Sequence, residues 1–139
     1  MTHCNFLYKL ISNLNLNDRV FLLGGKSQGW LKNNLCNYDL FIQASKNEGL
    51  GLAPIESAAA CLPMILSSIE GHLEVSENGK FCQLFSPFNE GELSREILSF
   101  YENHIFYFKS TIRNRNYLKS KFDFNRFNEK ILEDYRKLI

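Results

Sequence analysis

The stretch Ser45-Lys46-Asn47-Glu48-Gly49-Leu50-Gly51-Leu52-Ala53-Pro54-Ile55-Glu56 directly follows a short apolar run at residues 40–42. The apolar run predicts a buried strand, and the alanine-rich residues 53–61 predict a helix. Pro54 suits this helix because it would lie in the first turn, where backbone N–H groups have no helical partner. The stretch therefore predicts a glycine-containing loop that leads from the carboxyl end of a strand into a helix.

The rest of the chain alternates short apolar runs with helical patterns. Further strands are predicted at residues 20–23, 64–67 and 81–85. Helices are predicted at residues 5–14, 30–35, about 104–120 and about 125–138. A further helix is predicted to begin after Asn89, which would be its N-cap with Glu92 as the capping-box partner. Strands that alternate with helices indicate an α/β fold: a Rossmann-like, mostly parallel sheet of about four strands with helices on both faces. Residues 1–139 are expected to form one domain.

Composition limits the classes of function. The chain has 139 residues, of which 45% are hydrophobic and 22% charged, and its net charge of +1 gives no reason to expect a nucleic-acid partner. No apolar stretch approaches the ~20 residues that span a bilayer, and the first residues lack the features of a signal peptide, so a cytoplasmic location is expected. The cysteines are scattered and the histidines lie far apart, so we expect reduced thiols and no metal site: Cys4, Cys36, Cys61, Cys82, His3, His72 and His104.

The loop at residues 45–56 carries the chemistry. Ligands of open α/β sheets bind at the carboxyl ends of the strands, and the start of a helix offers N–H donors to a phosphate. Gly49 and Gly51 allow close approach of a ligand to the backbone. Glu56, expected in the first helical turn, and Glu48 on the loop would both reach the cleft and accept from hydroxyl groups. Two alternatives stay open, because Glu56 would also complement the helix dipole and the glycines would also suit a plain turn.

The run from Glu48 to Glu56, with seven residues between the two glutamates, resembles the group 1 family of retaining glycosyltransferases with the GT-B fold. The resemblance extends to the alanine-rich helix and the Pro63-led strand that follow. Further similar segments are residues 16–24, 38–41, 71–75, 78–79 and 122–135. The resemblance thus covers nearly the whole chain and implies a partial C-terminal, donor-binding domain.

The resemblance also implies roles for individual residues. Glu48 would lie near the donor sugar as the catalytic carboxylate, and Glu56 would hold the ribose of the nucleotide. Gly71 would line the cleft in a glycine loop, where His72 is either a ligand contact or an exposed loop histidine. The remaining implied contacts are the donor-binding backbone of Gly49, Leu50, Gly51 and Leu52 and the base-proximal Gly24 and Gly25. The donor would be a nucleotide-sugar, UDP- or GDP-linked, with no further cofactor.

The chain also departs from the family pattern. Two strands that carry an Arg and a Lys for the donor diphosphate, and the acceptor domain before them, have no counterpart, and Lys26 is the nearest basic residue to the expected cleft. We therefore expect residues 20–23 to pair directly with residues 40–42, or another chain to cover the open edge. Cys61 replaces a usual glycine, so the helix is expected to end without a left-handed cap. Glu70 replaces the first glycine of a usual pair and brings a carboxylate near the expected phosphate.

Two functions from different classes follow. The first is a part of a transferase that moves a sugar to a carbohydrate or lipid-linked acceptor and needs a second chain, or a longer parent, with the acceptor domain. The alternative is a non-catalytic fragment or partner subunit that binds nucleotide-sugars weakly. A peripheral membrane contact is a further possibility, with a plain solvated face as its alternative; the cations concerned are Lys109, Arg113, Arg115, Lys119 and Lys121.

Overall fold

The computed structural model of the protein describes residues 3–123. The chain divides into two compact units, the first ending at Leu31 and the second beginning at Lys32. The first unit contains helix α1 (His3–Asn13), a turn and a segment without regular secondary structure, and helix α2 (Gln28–Asn34) crosses the boundary between the units. None of the helices described is long and apolar enough to cross a bilayer.

Residues 20–23 form no strand, so the strand predicted there is wrong. The side chain of Phe21 is 68% exposed, and Val20 and Leu23 are exposed as well. A strand needs a neighbour that takes up its backbone N–H and C=O groups, and an apolar run does not specify that neighbour.

The second unit contains a parallel sheet of β1 (Phe41–Gln43), β2 (Met64–Ser67) and β3 (Gln83–Phe85), in the order β1-β2-β3. In the described part of the chain the sheet therefore has three strands, one fewer than predicted, and the missing one is the segment at residues 20–23. All four residues of the central strand β2 are buried, as expected for a parallel strand that is covered on both faces.

Helices cover both faces of this sheet, as predicted. They are α3 (Leu52–Ala59), α4 (Glu70–Val75) and α5 (Glu90–Lys121), after a short 3-10 turn at Leu35–Asn37. Side chains alternate along β2, so Met64 and Leu66 pack in one core cluster with Leu118 of α5. Ile65 points to the opposite face and packs with Phe100 of α5. One helix thus contributes to both cores.

A kink allows α5 to do this. Asn103 has non-helical angles (φ −126°, ψ 26°), and the helix predicted at residues 104–120 is the second half of α5. Asn89 caps the start of α5, as predicted, by accepting a hydrogen bond from the Glu92 N–H at 3.0 Å. The carboxylate of Glu92 accepts from the Ser86 N–H instead of completing a capping box, and this bond lowers the pKa of Glu92. The helix predicted at residues 125–138 lies outside the described residues.

Helix α3 ends in a left-handed cap, contrary to prediction. Cys61 adopts φ +58°, its N–H donates to the Ala58 carbonyl, and the Leu62 N–H donates to the Ser57 carbonyl. This pair of bonds is the Schellman arrangement, which glycine normally completes. Satisfying the last carbonyls of α3 outweighs the steric cost of a cysteine in this conformation.

The start of α4 packs directly on the loop before α3. A Cβ on Gly71 would overlap the carbonyl oxygen of Gly49 and would lie 3.0 Å from the carbonyl oxygen of Glu48. Gly71 belongs to a helix and not to the expected glycine loop. The absence of a side chain at this position is therefore required by the packing of the two segments.

We expect Cys61→Gly to raise the free energy of unfolding by about 1 kcal/mol. A residue with a Cβ pays ~1–2 kcal/mol to adopt the left-handed conformation, and glycine avoids this cost. Part of the gain is lost because glycine gives up more backbone entropy than cysteine on folding. Chemical denaturation measures the change. Cys61→Ala is the matched control, because it removes the contact of the thiol with Arg115 but keeps the Cβ. Equal stability of the two variants would contradict the interpretation.

Gly71→Ala should lower the free energy of unfolding by about 1–3 kcal/mol, because a new methyl group must displace the backbone of the loop. Gly49→Ala is the control on the other side of the contact. A Cβ on Gly49 meets nothing within 4 Å, so this variant should unfold close to the wild type. If Gly71→Ala were as stable as Gly49→Ala, the loop would move aside without a loss of free energy of unfolding, and the steric requirement for Gly71 would be contradicted.

Candidate functional site

The carboxyl ends of the three strands meet at one edge of the sheet. From this edge β1 continues into the loop before α3, β2 into α4, and β3 into α5. The Ser67 hydroxyl donates to the Ser45 carbonyl at 2.7 Å, and the Ser68 N–H donates to the Phe85 carbonyl at 2.8 Å. These bonds join all three connections at the edge where open α/β sheets bind ligands.

Glu48 is held in a small hydrogen-bond cluster at this edge. Its Oε1 accepts from Gln43 Nε2 and from Ser45 Oγ, both at 2.7 Å, and the same amide nitrogen lies 3.1 Å from Ser45 Oγ. Hydrogen bonds to a carboxylate are stronger than those between neutral groups, so the side chain is fixed before a ligand arrives. The Oε1 atom of Gln43 is buried and has no hydrogen-bond partner among the described residues.

Sequence analysis missed Gln43 and Ser45 as supports of Glu48. Polar residues at the end of strand β1 were the available signal, but the sequence does not show which way these side chains turn.

His72 lies inside the protein, so the interpretation as an exposed loop histidine is wrong. It belongs to α4 and its side chain is fully buried. Its Nδ1 lies 2.9 Å from the Ser67 carbonyl oxygen, which can only accept, so Nδ1 carries the proton. In the neutral ring Nε2 is then an acceptor, and it is buried without a hydrogen-bond partner among the described residues.

The unpaired side of the His72 ring faces the turn before α3. Its Cδ2, which is bonded to Nε2, lies 3.6 Å from the position that a Cβ on Gly51 would take. Gly51 has φ +73° and provides no side-chain cap for α3. The first N–H groups of α3 therefore lack a capping side chain, as at helix starts that bind anions.

The prediction that Glu56 lies in the first turn of its helix is wrong. Helix α3 begins at Leu52, immediately after the left-handed Gly51, so Glu56 is its fifth residue. The effect of the helix dipole falls off within the first turn, which weakens the interpretation of Glu56 as a dipole partner. Its side chain is half-buried.

Lys46 is a cation on the loop that sequence analysis passed over. Its ammonium lies 4.7 Å from the centre of the Phe88 ring. This contact joins the loop after β1 to the loop after β3. Lys26, the basic residue named from the sequence, belongs to the first unit, where its ammonium lies 5.3 Å from the Trp30 ring. The second unit thus has a positive charge of its own near the carboxyl ends of its strands.

The structure brings together Glu48, Gly49, Gly51, Gly71 and His72. Leu50 and Leu52 lie on the same loop and at the start of α3. The base-proximal roles of Gly24 and Gly25, which belong to the first unit, stay predictions.

Two observations concern metals and thiols. Among residues 3–123, no group of three or more His, Cys, Asp and Glu side chains is placed to hold a metal ion. Burial raises the pKa of the Cys82 thiol to about 12, against a smaller opposite effect of a hydrogen bond with Ser76. This thiol therefore stays protonated at neutral pH.

Solved structures share the fold of the chain. Sucrose-phosphate synthase (tll1590) from Thermosynechococcus elongatus matches with a TM-score of 0.85 and 21% identity, over 96% of this chain and 34% of that one. HepE (Alr3699) from Anabaena matches in its complex with UDP with a TM-score of 0.86 and 23% identity, over 97% of this chain and 37% of that one. Its complex with UDP-glucose matches with a TM-score of 0.85 and 22% identity, over the same shares of the two chains. The chain thus spans about a third of the length of these structures.

Two sequence comparisons gave different results. No curated protein matches the chain. The family model of glycosyl transferases group 1 matches residues 3–119, which is most of the chain. The protein belongs to the group 1 family of glycosyl transferases.

Proposed function

We propose that the chain supplies most of the donor site of a glycosyltransferase that moves a sugar from a nucleotide-sugar to a carbohydrate or lipid-linked acceptor. The observation that carries this proposal is the fixed Glu48 carboxylate beside the uncapped start of α3. A carboxylate accepts from sugar hydroxyls, and free N–H groups donate to phosphate oxygens. The two halves of a nucleotide-sugar need these two kinds of partner.

The division of roles is the one that the resemblance to the family implies. Glu48 binds hydroxyls of the donor sugar, the backbone from Gly49 to Leu52 faces the sugar and the diphosphate, and Glu56 holds the ribose. Lys46 adds positive charge for the leaving diphosphate, whose stabilisation is mostly a matter of position and charge. The structures of HepE with UDP and UDP-glucose support UDP as the nucleotide.

Transfer requires an acceptor-binding part as well. Because the chain spans about a third of the matched structures, the complete reaction is proposed for this chain together with such a part, in a second chain or a longer parent. The alternative is a non-catalytic subunit with weak binding of nucleotide-sugars. Glu70 favours this alternative, since its exposed carboxylate at the start of α4 would repel a diphosphate placed there.

Calorimetric titration with UDP, GDP and ADP tests the donor site. We expect saturable binding of UDP, weakened about tenfold or more in Glu56→Ala, because the loss of hydrogen bonds to a charged group costs ~1.5–3 kcal/mol. Glu102→Ala, which removes an exposed carboxylate on α5, is the control and should bind as the wild type does. A folded chain that binds none of the three nucleotides would refute the proposal.

A pair of substitutions tests the role of His72. Asn places its amide nitrogen near the position of Nδ1 and keeps the bond to Ser67, whereas Gln reaches the position of Nε2 and loses that bond. If donor binding moves the turn at Gly51 so that a sugar hydroxyl reaches the buried Nε2, His72→Asn should lower the affinity for UDP-glucose several-fold more than that for UDP, and His72→Gln should restore part of the difference. Since general damage would weaken both ligands alike, an unchanged ratio of the two affinities in His72→Asn would contradict this role.

A further inference from the structure

Charge is segregated along α5. Residues 90–103 contain four glutamates and one arginine, whereas residues 104–121 contain five lysines and arginines and no acidic residue. The kink at Asn103 separates the two halves. The second half of α5 is therefore a strongly basic helix in a chain whose net charge is only +1.

The second half of α5 also exposes large apolar side chains. Phe106 is 71% exposed, and Ile105 and Ile112 are exposed to a similar degree. The inward face holds the buried polar residues Thr111 and Asn114 beside Leu118, Tyr107 and Tyr117, which pack on the core. The usual distribution, with apolar residues inward and polar residues outward, is thus partly reversed.

The outward face combines these apolar side chains with positive charge. Lys109 follows Ile105 by four residues and Arg113 follows Phe106 by seven, and both spacings place residues on one face of a helix. We call the outward residues Ile105, Phe106, Lys109, Ile112, Arg113 and Lys119 the basic–apolar face.

The charge of this face is not neutralised within the described part of the chain. Lys121 pairs with Glu74 at 3.4 Å and the Arg115 guanidinium contacts the Cys61 sulfur, so these two cations are engaged elsewhere. Neither of the ion pairs described among residues 3–123 includes Lys109, Arg113 or Lys119.

A cavity opens beside this face. Its volume is about 470 Å³, and Lys109, Arg113 and Phe106 line it together with Lys80 and Phe81. Lys80 is paired with Glu77 at 2.8 Å, so Lys109 and Arg113 carry the uncompensated charge of the cavity. Two cations beside aromatic rings suit a phosphate group attached to an apolar body.

We propose that the basic–apolar face binds the surface of an anionic lipid bilayer. Phe106, Ile105 and Ile112 enter the boundary between headgroups and acyl chains, while Lys109, Arg113 and Lys119 contact the headgroup phosphates. Charge complementarity selects this partner, because the basic–apolar face is positive and the bilayer surface is negative. The first half of α5 also exposes apolar side chains, such as Leu98 at 58% exposure, but these lie among glutamates, which an anionic surface repels. The cavity accommodates one headgroup.

Co-sedimentation of the full chain with vesicles tests the proposal. We expect binding to vesicles of phosphatidylcholine and phosphatidylglycerol in equal parts, little binding to phosphatidylcholine alone, and loss of binding at high salt. The double variant Lys109→Glu/Arg113→Glu and the single variant Phe106→Ser should each reduce binding to the mixed vesicles about tenfold or more. Circular dichroism and thermal unfolding verify that each variant is folded.

Matched controls come from the first half of the same helix. Arg95→Glu repeats the charge reversal and Leu98→Ser repeats the loss of an exposed apolar side chain, and both should bind vesicles as the wild type does. Equal binding to neutral and anionic vesicles, or equal losses of binding in variants and controls, would overturn the proposal. The proposal would also be overturned if the wild type formed dimers without lipid and the double variant did not, since the face would then bind a second copy of the chain. Binding of UDP should be unchanged in every variant, so this test is independent of the proposed function.

Discussion

The geometry of the candidate site depends on Ser67, the last residue of β2. Its hydroxyl donates to the Ser45 carbonyl, and its own carbonyl accepts from His72 Nδ1. Ser67 and His72 are fully buried, and hydrogen bonds in such surroundings are costly to break because water does not replace them. One residue thus fixes the loop that carries Glu48 and the helix that carries His72. Its place at the end of a central strand is set by the parallel register with β1 and β3.

The contact of Gly71 with Gly49 makes the same two segments pack without an intervening side chain. The loop and α4 therefore have little freedom to move apart while the Ser67 bonds hold. A glycine that the family resemblance assigns to the cleft has a purely steric reason to be present, so its identity alone is weak support for a ligand contact. The hydrogen-bonded Glu48 and the unpaired Nε2 of His72 are stronger support, because packing does not require either.

The sequence predicted best what depends on neighbours along the chain. The strand at residues 64–67 has the predicted bounds because Pro63 ends the preceding turn and four apolar or small residues follow. Asn89 as a cap depends on a bond to a residue three positions away. Other features are not visible in the apolar pattern. Residues 20–23 form no strand, and His72 is held in the interior by a hydrogen bond to Ser67, five residues earlier. Lys46 was missed because the Phe88 ring that it contacts lies far along the chain, on the loop after β3.

The kink in α5 lets one helix serve two purposes. Phe100 in its first half and Leu118 in its second pack on opposite faces of the sheet, which leaves the outer side of the second half without a structural task in the described chain. Buried Thr111 and Asn114 gain less from burial than apolar residues would, whereas exposed Phe106 and Ile112 lose what burial would give them. A sequence selected for stability alone would exchange these positions. The reversed pattern is therefore better explained by a partner outside the described residues. The cavity beside Arg113 reaches Gln83, where β3 begins, so such a partner would approach the edge opposite the carboxyl ends, away from the proposed donor site.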